Sequence, residues 1–200
     1  MVNKRISHVS SCERKRGVTC MCRYLFRAAE QEKQSIADNI VGFMNGTGNL
    51  SKEAYSFVLN WILTGPNEKT KAYFDIWDKV LDAYLPSERP ILFRSCPRIT
   101  QKPIQSFSGS ISAVERFSNG HKGHVLICDT NEYMRYLDFQ KESVYYRNFF
   151  PIYHLIKKDL ATATPHFRKE FYEQYKGEDE YIVRVDYNYL YDLKWSQKQQ

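Results

Sequence analysis

A chain of 200 residues suits one domain with a buried core. Its hydrophobic share of 42% and aromatic share of 15% exclude a disordered protein, and no apolar run approaches the roughly 18 residues that a membrane helix needs. The net charge of +6 gathers at the start, where Lys4, Arg5, Arg14, Lys15, Arg16, Arg23 and Arg27 face only Glu13 and Glu30. Such a cluster suits docking on nucleic acid or an acidic protein surface, or a plain solvated tail. No apolar stretch follows it, so a secretory signal is not expected and the chain reads as soluble and cytoplasmic. Met21 offers an alternative start.

The five cysteines, at 12, 20, 22, 96 and 128, have no framework spacing and are expected as reduced thiols. His8, Cys12, Cys20 and Cys22 lack the usual knuckle spacing of a zinc site, so no metal is expected.

From about residue 28 to 86 the pattern is helical. Leu50, Ala54, Phe57, Val58, Trp61 and Ile62 share one apolar face. Gly65-Pro66 closes that segment, and Asn67 is a candidate cap for the next. Ala72/Tyr73, Ile76/Trp77, Val80/Leu81 and Tyr84/Leu85 mark a second helix, halted before Pro86. Both aromatic stripes read as core. From residue 87 onward short strands take over. Ile91-Leu92-Phe93, ended by Arg94, is one, and His124 to Cys128 is another. Ile111 to Phe117 has room for a short helix, and Asn119-Gly120 turns the chain.

A tyrosine-rich connection runs from Asp129 to Gly177. Its last piece predicts a helix with Thr164 as cap and Pro165 at its first position, ending near Tyr175. Glu178 and Glu180 follow at once. From Tyr181 to Trp195 every odd position is apolar or aromatic, which predicts two strands or one strongly bent strand. The expected fold class is α+β. Residues 1–27 form a basic N-terminal segment, 28–86 a helical region, and 87–200 a core built on a mixed sheet or β-sandwich.

Four of these residues make a chemical set. Cleaving an N-glycosidic bond leaves an oxocarbenium-like sugar cation, which a fixed carboxylate stabilises. A planar guanidinium holds a diphosphate, and a serine hydroxyl orients a carboxylate. A guanidinium acceptor needs a second carboxylate to position it and take its proton. Arg94, Ser108, Glu178 and Glu180 supply these groups.

In order and context, Phe93-Arg94, Phe107-Ser108-Gly109-Ser110 and Glu178-Asp179-Glu180 resemble the R-S-E signature of arginine-directed mono-ADP-ribosyltransferases, above all the small bacteriophage-encoded enzymes. In that family the arginine ends the first core strand, the serine piece starts the next, and E-x-E opens a later one. The resemblance implies an ADP-ribosyltransferase core that moves ADP-ribose from NAD to arginines of target proteins. It implies Glu180 as the catalytic carboxylate, Glu178 at the target arginine, and Ser108 orienting Glu180. Arg94 would anchor NAD phosphate or ribose, Ser110 would join the cofactor site, and Phe117 would pack near the nicotinamide. Tyr172 or Tyr175 would touch the protein target, and Arg135 or Arg147 is a candidate for the phosphates. The implied partners are NAD and host transcription or translation proteins, in the host cytoplasm or packaged in the virion. The chain departs from the pattern at Gly109, where the family has threonine, and at Ser95, where it has glycine. Water or nucleic acid as acceptor, and a non-catalytic binding module on the same fold, are the alternatives.

Overall fold

The computed structural model describes residues 26–100, 102–118, 120, 122–132 and 149–195. His8, Cys12, Cys20, Cys22, Met21, Arg135, Arg147 and most of the basic segment lie outside them.

Three helices come first: α1 (Glu30–Met44), α2 (Lys52–Leu63) and α3 (Lys71–Ala83). Ser51 caps α2 through its side chain, accepting from the Ala54 N–H at 3.1 Å. The cap expected at Asn67 is not used. α3 starts after Thr70, whose hydroxyl donates instead to the Phe26 carbonyl at 3.0 Å. Ion pairs then tie α1 to α3, Lys33 to Asp75 at 2.7 Å and Lys79 to Glu30 at 2.9 Å.

Six strands and three shorter α-helices follow, with a single 3-10 turn at Tyr187–Tyr189 between the last two strands. In order they are β1 (Ile91–Cys96), β2 (Ile104–Ser108), α4 (Ile111–Arg116), β3 (His124–Asp129), β4 (Phe149–Pro151), α5 (Ile152–Leu160), α6 (Lys169–Tyr175), β5 (Glu180–Arg184) and β6 (Tyr191–Lys194). Several boundaries differ from expectation. Arg94 lies inside β1 rather than at its end, and Phe107-Ser108 closes β2 rather than opening it. The helix expected from Thr164 begins only at Lys169. The buried Asp159 carboxylate accepts from the His166 and Phe167 amides at 2.8 and 2.9 Å, which holds the preceding loop in a non-helical turn.

The strand order is β4-β5-β2-β1-β3-β6, and every pairing is antiparallel. The mixed sheet anticipated from the sequence is therefore corrected to an antiparallel one. A parallel neighbour needs a long crossover, and short links such as the one between β1 and β2 favour reversal instead. The sheet is not uniformly zipped. β1 and β3 share six register pairs and β2 and β5 share five, but β1 and β2 meet only at Phe93 opposite Ser108. Two three-stranded halves thus join through one pair.

Strand alternation divides the core accordingly. Ile104, Phe150 and Ile182 face the helices and merge with Trp61, Tyr73, Trp77, Leu155 and Phe167 in one cluster. Phe107, Phe149, Tyr181 and Val183 point the other way, into a second cluster with Leu92, Cys96, Leu126 and Cys128 of the other half. The helical region thus shares its core with the strands that follow it. Arg184 strengthens this docking by pairing with Asp78 at 2.6 Å and Asp82 at 2.8 Å on α3. Cys96 and Cys128 are buried and in no disulfide among the described residues, and no helix among the described residues is long and apolar enough to cross a membrane.

The departure at Gly109 has a steric cause. Asp179, with φ of +43°, folds back over it, and the Gly109 N–H donates to the Asp179 carbonyl at 3.0 Å. A Cβ at position 109 would lie 2.2 Å from Asp179 Oδ2 and 3.1 Å from a Tyr181 ring carbon. The expected result for Gly109→Thr is a loss of about 1–3 kcal/mol in urea denaturation, from overpacking. Asp179→Gly in the same chain should recover part of that loss, since it removes the clash and the left-handed strain together. Additive losses in the double variant would reject this coupling.

Candidate active site

The junction between the two sheet halves gathers the residues singled out in the sequence. Ser108 lies directly opposite Glu180 across β2 and β5, and opposite Phe93 across β2 and β1. One residue on from Phe93, Arg94 follows the alternation toward the face of Leu92 and Cys96. Its guanidinium donates from Nη1 to the Ser106 carbonyl at 2.5 Å and stays within electrostatic reach of Glu180. Burial lowers its pKa without discharging it. Its Nε is buried with no partner among the described residues, an unmet donor that a bound anion or carbonyl would satisfy.

Ser108 does not bond the Glu180 carboxylate. Its hydroxyl donates to the Glu178 carbonyl at 2.6 Å and accepts from the Ser110 N–H at 3.0 Å. Through that bond it pins the backbone that carries both glutamates. The Glu180 carboxylate is gripped from the helical side. Trp61 Nε1 donates to Oε1 at 3.1 Å, and the Tyr175 hydroxyl donates to Oε2. Ser110 caps α4, accepting at 3.4 Å from the Ala113 N–H. Phe117 ends that helix with an open ring, 58% exposed.

Tyr175 was expected at a protein-target surface, but it is only 4% exposed. Burial, then the Glu180 and neighbouring charges, push its phenol well above the ordinary value, so it remains a donor. Tyr172 is half-buried, stacked on Tyr153 with its hydroxyl 2.6 Å from the Tyr153 hydroxyl. That hydrogen bond pushes its pKa up to about 12.

The two glutamates are electrostatically coupled. Burial pushes the Glu178 carboxyl up, the Glu180 charge adds to this, and Arg116 opposes it. Arg116 also donates from Nη2 to the Gly177 carbonyl at 2.6 Å, fixing the turn before Glu178. Burial likewise raises Asp179, against His154. A raised pKa makes the Glu178 carboxylate a stronger proton acceptor than an exposed glutamate.

Trp61, Lys69 and Arg116 were not among the residues assigned to the site. Trp61 was read as core, and it is indeed 1% exposed. Its signal was chemical: an indole N–H in a buried stripe requires an acceptor. Lys69 sits in a polar loop with nothing local to mark it. Comparison of the chain with known protein families, curated proteins and solved structures finds no match.

Proposed function

We propose that this protein is a mono-ADP-ribosyltransferase of the R-S-E kind, moving ADP-ribose from NAD to arginine side chains of target proteins. The observation that carries the reading is the junction of the two sheet halves, where Glu180 and Phe93 both register on Ser108, Glu178 immediately precedes β5, and Arg94, next to Phe93, reaches Glu180 electrostatically from the other face of the sheet. Arg94 and Ser108 come from the consecutive strands β1 and β2, whereas Glu180 opens β5 much later in the chain and Glu178 lies in the turn just before it. The antiparallel sheet opening at β1 and β2 is compatible with an ADP-ribosyltransferase core. The exposed Phe117 ring remains suited to the nicotinamide, and the host's transcription and translation proteins remain the proposed targets.

In this mechanism the bond between ribose C1′ and the nicotinamide nitrogen breaks, and its electron pair leaves with neutral nicotinamide. Positive charge then develops at C1′ and the ring oxygen. Glu180, held by two donors, presents a fixed negative charge to that cation and accepts from the ribose 2′-hydroxyl. A target guanidinium nitrogen attacks C1′, and its proton passes to Glu178. Arg94 offers its unmet donor to the diphosphate or ribose.

Incubation with labelled NAD and a bacterial lysate tests this. Label on discrete protein bands supports the transferase. NAD consumption without protein label points to water as acceptor, label on nucleic acid to that alternative, and untouched NAD to a binding module. Glu178→Gln should divide the two reactions, with transfer to arginine falling by at least about tenfold and NAD hydrolysis nearly unchanged. Equal loss of both would remove Glu178 from its role at the acceptor.

A further inference from the structure

We infer that Lys69 is a positioning residue that acts on Glu180 through the Trp61 indole, making the carboxylate clamp sensitive to pH. This deepens the proposed function and rests on that reading for its catalytic consequence. The contacts form an unbroken chain. Lys69 Nζ lies 4.1 Å above the centre of the Trp61 ring, and Trp61 Nε1 donates to Glu180 Oε1 at 3.1 Å. Lys69 is itself fixed by a 2.9 Å bond to the Thr64 carbonyl. The Thr64 hydroxyl in turn lies 3.2 Å from the buried Tyr73 hydroxyl. A second lysine, Lys102, donates to the Pro66 carbonyl at 2.8 Å and ties the same loop to the start of β2.

A cation over an indole face is attracted by the ring's electrons. It also draws density from the ring, which makes the N–H a better donor to the carboxylate below. Charged Lys69 therefore tightens the bond that holds Glu180, and neutral Lys69 loosens it. The groups facing Lys69 are Glu180 from β5, Arg94 from β1 and Lys102 ahead of β2, with Glu68 beside it on its own loop. Burial lowers the ammonium from its ordinary value to about 8; Glu180 opposes this, and Arg94 and Lys102 reinforce it. The clamp thus loosens as pH rises through about 8. Tyr175, the other donor to Glu180, keeps its proton there because its pKa lies well above the usual phenol value.

The direct test is the Trp61 indole N–H resonance of the full chain, followed by NMR from pH 6.5 to 10 and assigned with Trp61→Phe. The expected result is a titration with a midpoint near 8 that disappears in Lys69→Met. A flat resonance, or the same titration in Lys69→Met, overturns the link, and this readout needs no NAD turnover. The second arm is the pH profile of NAD cleavage. Wild type should lose about tenfold on the alkaline side. Lys69→Arg should keep its activity to higher pH, and Lys69→Met should start at the lower level with a flattened alkaline side. An unshifted alkaline limb in Lys69→Arg, beside a titrating indole, overturns the positioning role. Absence of NAD cleavage in wild type sinks the transferase reading instead, and the indole titration then decides the link alone.

Discussion

Glu180→Gln should slow both ADP-ribosyl transfer and NAD hydrolysis by at least about 10²-fold, with the fold intact. Glutamine is the informative replacement because of what surrounds the carboxylate. Trp61 Nε1 and the Tyr175 hydroxyl both donate to Glu180 from within the core. An alanine would leave both donors without an acceptor, at about 1–3 kcal/mol each. Lost activity in that variant would then be confounded with lost stability. A glutamine carbonyl accepts from the indole, and its amide donates to the tyrosine oxygen, so the packing survives. Only the negative charge that the proposed mechanism sets against the ribosyl cation is removed. Thermal unfolding and turnover of labelled NAD are measured together. A variant that unfolds like wild type and retains turnover within tenfold would remove Glu180 from the chemistry.

The second large effect is on stability. Trp77 is fully buried, with ring centres 5.0 Å from Phe57, 5.7 Å from Trp61 and 5.4 Å from Phe150. It therefore joins α2, α3 and β4 at one point. Trp77→Ala removes those contacts and leaves a cavity, and is expected to lower stability by about 3–5 kcal/mol. Against a typical total of about 5–15 kcal/mol, that is a large share. Trp77 Nε1 is buried without a hydrogen-bond partner among the described residues. Trp77→Phe keeps most ring contacts and deletes that unmet donor, so it should lose less than about 2 kcal/mol. Urea denaturation followed by circular dichroism separates the two. Equal losses would mean that the ring contacts are not what Trp77 contributes.

The fold was legible wherever a pattern is local. The apolar stripe of α2 and the α3 pattern through Leu81 were read correctly, because periodicity near 3.6 is written into neighbouring residues. So was the strand from His124. The run of odd-numbered apolar residues from Tyr181 resolves into β5 and β6, one of the two readings it allowed. Their fates differ, however. Tyr181 and Val183 are buried, whereas Tyr191 and Leu193 stay more than half exposed at the sheet edge. Alternation announces a strand and says nothing of which neighbour covers it. β4 and α5 went unread within the tyrosine-rich connection: three residues of strand are too few for any period to register, and the nine-residue α5 follows that strand without a break.

The site divides in the same way. The sequence by itself determined the residue types, their order and their entry into a turn or strand: Arg94, then the Ser108 piece, then Glu178 and Glu180. These follow from short-range rules of turn chemistry and strand propensity. Only the tertiary structure decided which of them touch. The strand order sets Ser108 opposite Glu180, yet the serine hydroxyl bonds the backbone of Glu178. Of the two bonds to the Glu180 carboxylate, one comes from Tyr175 on the helix just before it and the other from Trp61, 119 residues away in sequence. Glu180 faces the helices because Ile182, two residues on, must be buried against them, and strand period two carries its neighbour to the same face. A half-buried carboxylate and a buried indole then each require a partner. Packing α2 on that face leaves each as the other's answer, a contact that no local pattern encodes.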